Sequence, residues 1–219
     1  MADVARVLDA VVDERSLLEH PFYQAWSEGR LTQEDLAFYS TQYWRQVEAF
    51  PGYLAALADR LPDGEARRIV TENLADERDG DHPGLWKAFA AALGVEEGPL
   101  AEISAEPETA SCVEAFRTGM EHSPIPFALG MLYGYESQTP AVSRTKVRGL
   151  REHYGIDGSG LDYFELHAEL DVEHAGELAS ALAGNTDTGG LEVATAGAQA
   201  GAEAVWSLLD GVARVRAIS

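Results

Sequence analysis

The stretch Thr32-Gln-Glu-Asp-Leu36-Ala-Phe-Tyr39-Ser-Thr-Gln-Tyr43-Trp44-Arg-Gln-Val47 decides the fold class. Thr32 is a good N-cap residue, and the two acids behind it suit the positive end of a helix. Leu36, Tyr39, Tyr43, Trp44 and Val47 then recur at helical spacing, so one face of the segment is apolar. The same punctuation continues along the chain. Pro62-Asp-Gly64 ends this helix, and a second resumes near Glu65 and runs to about Arg78. Asp79-Gly-Asp81 breaks it, and Pro83 fits the first turn of a third helix that carries Leu85, Trp86, Phe89 and Leu93 and closes on Gly94. A Pro- and Glu-rich connector over 100–107 precedes helices over 108–121 and 126–154. Residues 155–160 read as loop, 161–182 as helix, 185–190 as loop, and an Ala-rich final helix reaches about Arg216. Strand signals and internal repeats are absent. The expectation is one all-α domain over residues 1–219, a bundle of about seven or eight helices.

Composition narrows the function classes. Hydrophobic residues make up 46% of the 219, enough to build a core. The chain carries 37 acidic against 16 basic residues, a formal net charge of −21, which repels phosphate backbones and anionic lipid. No nucleic-acid or membrane partner is therefore expected. Only Lys87 and Lys146 are lysines among the basic residues. Acid excess with lysine depletion fits life in concentrated salt, where the Debye length falls to about 3 Å at 1 M. The single cysteine, Cys112, has no partner for an internal disulfide, which points to a reducing compartment. Met1-Ala-Asp-Val4 lacks a signal-peptide pattern, and no apolar run of about 18 residues occurs. A cytoplasmic protein is expected.

Chemistry concentrates in His167-Ala-Glu-Leu-Asp171-Val-Glu-His174. Offsets of 0, 4 and 7 put His167, Asp171 and His174 on one helical stripe, a pattern that can ligate a divalent ion or face solvent. Glu165, Glu169 and Glu173 fall off that stripe. Glu136 is the only strongly ionisable residue in the apolar run beginning at Pro126, and a buried carboxylate must be paired, protonated or metal-bound. Arg144 is one candidate partner for it. A third cluster spans Asn73–Trp86, where Glu77 ends one helix and His82 opens the next. Glu77, His82, Glu136, His167, Asp171 and His174 together supply three carboxylates and three imidazoles from three helical regions, an inventory that suits a two-metal site in a bundle.

His20-Pro-Phe-Tyr23-Gln-Ala-Trp26, Glu48-Ala-Phe-Pro51-Gly-Tyr-Leu54, Asn73–Trp86, Tyr133-Gly-Tyr-Glu136-Ser-Gln-Thr-Pro140 and His167–His174 resemble, in order, the haem-oxygenase-like dimetal oxidases. The nearer likeness is to the branch named for the chlamydial protein associating with death domains. It covers about residues 20–183. The resemblance implies a seven-helix haem-oxygenase-like bundle that binds no haem. It also implies an Fe/Fe or Fe/Mn centre, held by the six residues above, that activates O2 with an external reductant. The activity implied is 4-aminobenzoate synthesis for the folate pathway, with Tyr23 sacrificed as the ring, Lys146 as the amino donor and Tyr39 as a neighbouring relay or positioning tyrosine. The expected assembly is a homodimer acting on small molecules. This chain departs from the family in the short Glu77-x4-His82 spacing, two residues less than usual, which leaves Asp76, Asp79 or Asp81 as alternative donors. Lys146 lies ten residues after Glu136, about 15 Å along an unbroken helix, unless Pro140 bends it.

Other readings remain. Oxidation of an external small substrate needs the same ligands. A thiaminase-II-like hydrolase would need Cys112 as nucleophile, but no histidine lies close in sequence and a small buried hydrophobe is the better reading there. A pyrroloquinoline-quinone-synthase-like oxidase would not need the metal ligands. A ferritin-type store would want two Glu-x-x-His motifs, and the chain offers Asp171-x-x-His174.

Overall fold

The computed structural model describes residues 2–185 and 188–219. The described residues are helical, with no strand among them: α1 (Ala2–Val12), α2 (Pro21–Ser27), α3 (Gln33–Arg60), α4 (Glu65–Asp79), α5 (His82–Ala92), α6 (Glu97–Glu102), α7 (Pro107–His122), α8 (Ile125–Glu136), α9 (Thr139–His153), α10 (Asp162–Asn185) and α11 (Thr188–Arg216). The all-α expectation stands, but nine of these helices have eleven residues or more, against the seven anticipated. Among the described residues no helix is long and apolar enough to cross a membrane.

Two of the extra helices can be traced in the structure. The segment expected as one helix over 126–154 breaks at Ser137-Gln138. Pro140 sits in the first turn of α9, where it has no N–H to bond backward. Gln138 joins the end of α8 to the distant Leu17 backbone. Its Oε1 accepts from Leu17 N at 2.7 Å, and its Nε2 donates to Gly134 O at 3.3 Å. At the N-terminus, α1 packs on α11 and adds an element that the sequence reading left unassigned. The connector over 100–107 is helical at its start, in α6. Of the loop expected over 185–190, Thr186 and Asp187 lie outside the described residues, and Gly189 and Gly190 already belong to α11.

Helix α8 is the centre of the bundle. Every residue from Ala128 to Glu136 is buried, because α8 packs against α11 at unusually close range. A Cβ on Gly130 or Gly134 would stand 2.0 or 2.1 Å from the carbonyl oxygens of Ala194 and Ala198. Across the seam, a Cβ on Gly197 would meet Phe127 O at 2.0 Å. Only glycine permits that approach. It carries Glu136 into the interior, facing α3, α4 and α10.

The caps fix the other helices that bear site residues. Thr32 and Asp35 form a full capping box on α3. Asp81 adopts a left-handed conformation (φ 46°), and its Oδ1 accepts from Gly84 N, so it serves as the N-cap of α5. Gly80 makes the short turn from α4 to α5 possible, since a Cβ there would lie 2.7 Å from His82 Nε2 and 2.8 Å from Asp76 O.

Candidate metal centre

Helices α4, α5, α8 and α10 deliver the six predicted donors to one interior region. Each of the six is at most 6% exposed. Glu77, His82 and His167 form the tightest group, with one ligand atom from each lying within 4.8 Å of the others. Glu77 Oε1 is 2.9 Å from His82 Nδ1 and 3.8 Å from His167 Nε2. The five-residue step from Glu77 to His82 therefore still aims both side chains inward. Glu77, Glu136, His167 and Asp171 wall a small void together with Val47, Phe50, Tyr135 and Tyr163. At ≈ 10 Å³ it has room for about one water or ion. His174 Nδ1 sits 3.5 Å from Asp171 Oδ1.

Among the alternative donors, Asp81 is occupied as the α5 cap and exposed, and Asp79 is exposed. Asp76 is half-exposed and bonds the outer nitrogen of His174, with Oδ2 3.1 Å from Nε2. Arg144 does not answer Glu136. It reaches the surface, donating to Ala168 O and lying 3.7 Å from Glu169. The partner of Glu136 is Asn73, whose Nδ2 donates to Oε1 at 2.7 Å.

The electrostatics are those of a site arranged for cations. Burial pushes Glu136 up to about 8, the charges of Asp171 and Glu77 adding to the rise and His174 opposing it. Burial would also raise Glu77, but the neighbouring His167 and His82 imidazoles hold it down to about 2. For His174 burial acts downward, yet Asp171, Glu136 and Asp76 bring it to about 9. His167 is raised in the same way by Glu77 and Asp171, against its burial. Glu136 Oε2 is buried without a hydrogen-bond partner, which is costly unless something else fills the role, and His82 Nδ1 faces Glu77 Oε1. Mixed imidazole and carboxylate donors suit Fe or Mn, so the residues present fit transition-metal binding.

Beside this region lies a sealed aromatic box around Lys146. An uncomplicated reading of a lysine in an acidic chain puts it on the surface, but Lys146 is 3% exposed. The break before α9 redirects the chain, so the distance along a straight helix does not apply. Its Nζ donates to Tyr39 Oη at 2.6 Å and lies 4.8–5.8 Å from the ring centres of Phe164, Tyr43, Tyr39, Tyr23 and Trp86. Burial pushes its pKa well below that of a free lysine, which favours the neutral amine. Tyr23 Oη is 3.4 Å from Tyr39 Oη, and burial raises both phenols, so each keeps its proton.

Residues outside the set of candidate site residues join the box to the void. Tyr163 stacks on His167 with ring centres 4.1 Å apart, Trp86 meets Tyr163 at 4.9 Å, and Tyr43 stacks on Trp86 at 5.1 Å. Tyr43 Oη donates to Tyr135 Oη at 3.2 Å. Tyr43 and Trp86 are also the core positions that their helical spacing predicts. Tyr163 carried a signal, lying four residues before His167 on the same stripe; its carbonyl accepts from His167 Nδ1 at 2.6 Å. Cys112 is buried and its Sγ donates to Gln46 Oε1, while burial pushes the thiol up to about 12. A thiol in that state is no nucleophile.

A family model described as iron-containing redox enzyme matches residues 37–207. The 4-aminobenzoate synthase of Chlamydia pneumoniae is 36% identical over 212 residues, covering 96% of this chain and 95% of that protein. The 4-aminobenzoate synthase of Nitrosomonas europaea is 36% identical over 218 residues, covering 94% and 89%. Among solved structures, a TenA homologue from Pseudomonas syringae superposes with a TM-score of 0.80 at 17% identity, over 97% of this chain and 92% of that one, a likeness of fold.

Proposed function

The chain belongs to the iron-containing redox enzymes, and on that premise we propose that it makes 4-aminobenzoate from its own side chains in an O2-dependent reaction. Tyr23 supplies the ring and Lys146 the amino nitrogen. The observation that carries this reading is the sealed contact of the Lys146 amine with the Tyr39–Tyr23 phenol pair, two aromatic rings (Trp86 and Tyr163) from the candidate ligand His167. A surface lysine or an ordinary core tyrosine would not need such a box.

In this reading Glu77, His82 and His167 hold one ion, and Glu136, Asp171 and His174 hold the other. Two iron ions, or iron with manganese, would supply the oxidising power there, with O2 and an external reductant as co-reactants. The protein's side chains do the rest. Tyr163, Trp86 and Tyr39 form a path of ring contacts from His167 toward Tyr23. Tyr39 Oη receives the Lys146 N–H and shares a hydrogen bond with Tyr23, so it holds amine and phenol in register and gives either proton a neighbour to move to. Burial keeps water out and leaves the amine lone pair available.

Oxidation of an external small molecule is the second reading. The inner void is far too small for an organic substrate, but an outer groove of ≈ 360 Å³ between α1, α8, α9 and α10 includes Asp171 in its wall. Isotope labelling separates the two. Protein grown with ring-labelled tyrosine, loaded with iron or iron and manganese, then given reductant and O2, should release labelled 4-aminobenzoate in no more than stoichiometric amount. Many product molecules per chain, or unlabelled product, would contradict self-consumption.

A further inference from the structure

The three candidate imidazole ligands are not presented alike. His167 gives its Nδ1–H to the Tyr163 carbonyl, which leaves Nε2 as the nitrogen on the Glu77 side, 3.8 Å from Oε1. His174, two turns further along α10, is turned the other way. Its Nδ1 faces Asp171 Oδ1 at 3.5 Å, and its Nε2 meets Asp76 Oδ2 at 3.1 Å.

We infer that Asp76 is the positioning residue for His174: its carboxylate holds the Nε2–H, fixing the tautomer and ring orientation that present Nδ1 to a metal ion beside Asp171. The inference rests on the assignment of Asp171 and His174 as ligands. With a metal ion on one nitrogen the imidazole is neutral and keeps one N–H; carboxylates face both nitrogens, but only Asp76 Oδ2, at 3.1 Å from Nε2, stands at hydrogen-bond distance, against 3.5 Å for Asp171 Oδ1 from Nδ1, so the proton lies on the nitrogen next to Asp76. Asp76 and Glu77 are adjacent on the last turns of α4, and the helical step turns one side chain inward and the other toward solvent. Glu77 is buried among the ligands, while the Asp76 side chain is 50% exposed. The imidazole ring separates Asp76 from Asp171, so Asp76 is placed to act through His174. The Tyr163 carbonyl plays the corresponding part for His167.

The test compares wild-type protein, Asp76→Asn and Asp76→Ala in binding Mn2+ or Zn2+, by competition with a fluorescent chelator. Loss of an outer partner commonly costs about 10–100-fold in metal affinity. Asp76→Ala should weaken one binding event by that amount while the number of ions bound stays at two. Asp76→Asn, whose side-chain oxygen still accepts the Nε2–H, should recover much of the loss. In the Zn2+-loaded wild type, imidazole 15N spectra should place the metal on Nδ1 of His174 and the proton on Nε2. Thermal unfolding of the metal-free variants should match wild type, since Asp76 is half-exposed. Unchanged affinity in Asp76→Ala overturns the inference alone, as does metal found on Nε2. Loss of a whole metal equivalent in Asp76→Ala overturns it in favour of Asp76 as a direct ligand. Failure of the wild-type protein to take up metal overturns the ligand assignment and this inference with it.

Discussion

Replacing Lys146 with methionine should make the protein more stable while abolishing product. The Lys146 amine is fully enclosed, and among the described residues its side-chain hydrogen bond goes to Tyr39 alone. Burying a polar group that is only partly paired costs about 1–3 kcal/mol. Methionine fills a similar length with apolar atoms in a pocket of five aromatic rings. Tyr39 loses a donor, a penalty of about 1 kcal/mol, but keeps its contact with Tyr23. The balance favours Lys146→Met by about 1 kcal/mol, or about 2–4 °C in Tm for a chain of this size. The gain should depend on pH. Because the folded pKa of Lys146 is depressed, the unfolded chain binds an extra proton between that value and the ordinary 10.5. Wild-type stability therefore rises with pH across that window, and Lys146→Met lacks the rise. Urea unfolding at neutral and alkaline pH should show the advantage of the variant shrinking as pH approaches 10.5. Mass spectrometry should find no 4-aminobenzoate from the variant. A variant destabilised by several kcal/mol at every pH, or one that still makes product, would refute the assignment of Lys146 as an enclosed neutral donor.

Tyr23→Phe should also abolish product, with a stability cost of about 0.5–1.5 kcal/mol or less, since the bond it removes is long at 3.4 Å; product analysis beside urea unfolding checks both. Metal affinity, followed by chelator competition, should strengthen from pH 6 to pH 9, because protons held by Glu136 (about 8) and His174 (about 9) must leave, by up to about tenfold per pH unit for each proton displaced. In the metal-free protein, Glu136 with its raised pKa favours the fold most below 4.5, and that contribution is lost as pH rises through about 8. Glu136→Gln should remove this decline, measured as stability against pH, while weakening metal uptake. Gly134→Ala should separate α8 from α11, cost about 1–3 kcal/mol or more in denaturant unfolding, and reduce metal binding because α8 carries Glu136.

Features set by one helix were legible in the sequence. His167, Asp171 and His174 share a stripe, and a lone acid in the apolar run of α8 had to be buried, as Glu136 is. The Thr32 cap and the Gly94 stop follow from local rules, and both occur as expected. Features settled between distant segments were not legible. The break between α8 and α9 depends on Gln138 catching the backbone of Leu17, 121 residues away, and no periodicity records that contact. Asn73, rather than Arg144, answers Glu136 because α4 and α8 both pack on α10, whereas the Arg144 side chain turns outward. Tyr43, Trp86 and Tyr163 look like any core aromatics until the fold puts them between the candidate ligands and Lys146. The distinct role of Asp76 depends on which imidazole nitrogen it meets, and spacing cannot carry that information.

Anomalous diffraction at the iron edge from crystals of the iron-loaded protein tests the central claim most directly. Two peaks are predicted in the interior, one among Glu77, His82 and His167 and the other among Glu136, Asp171 and His174. A single peak, or iron bound only at surface carboxylates, would contradict it.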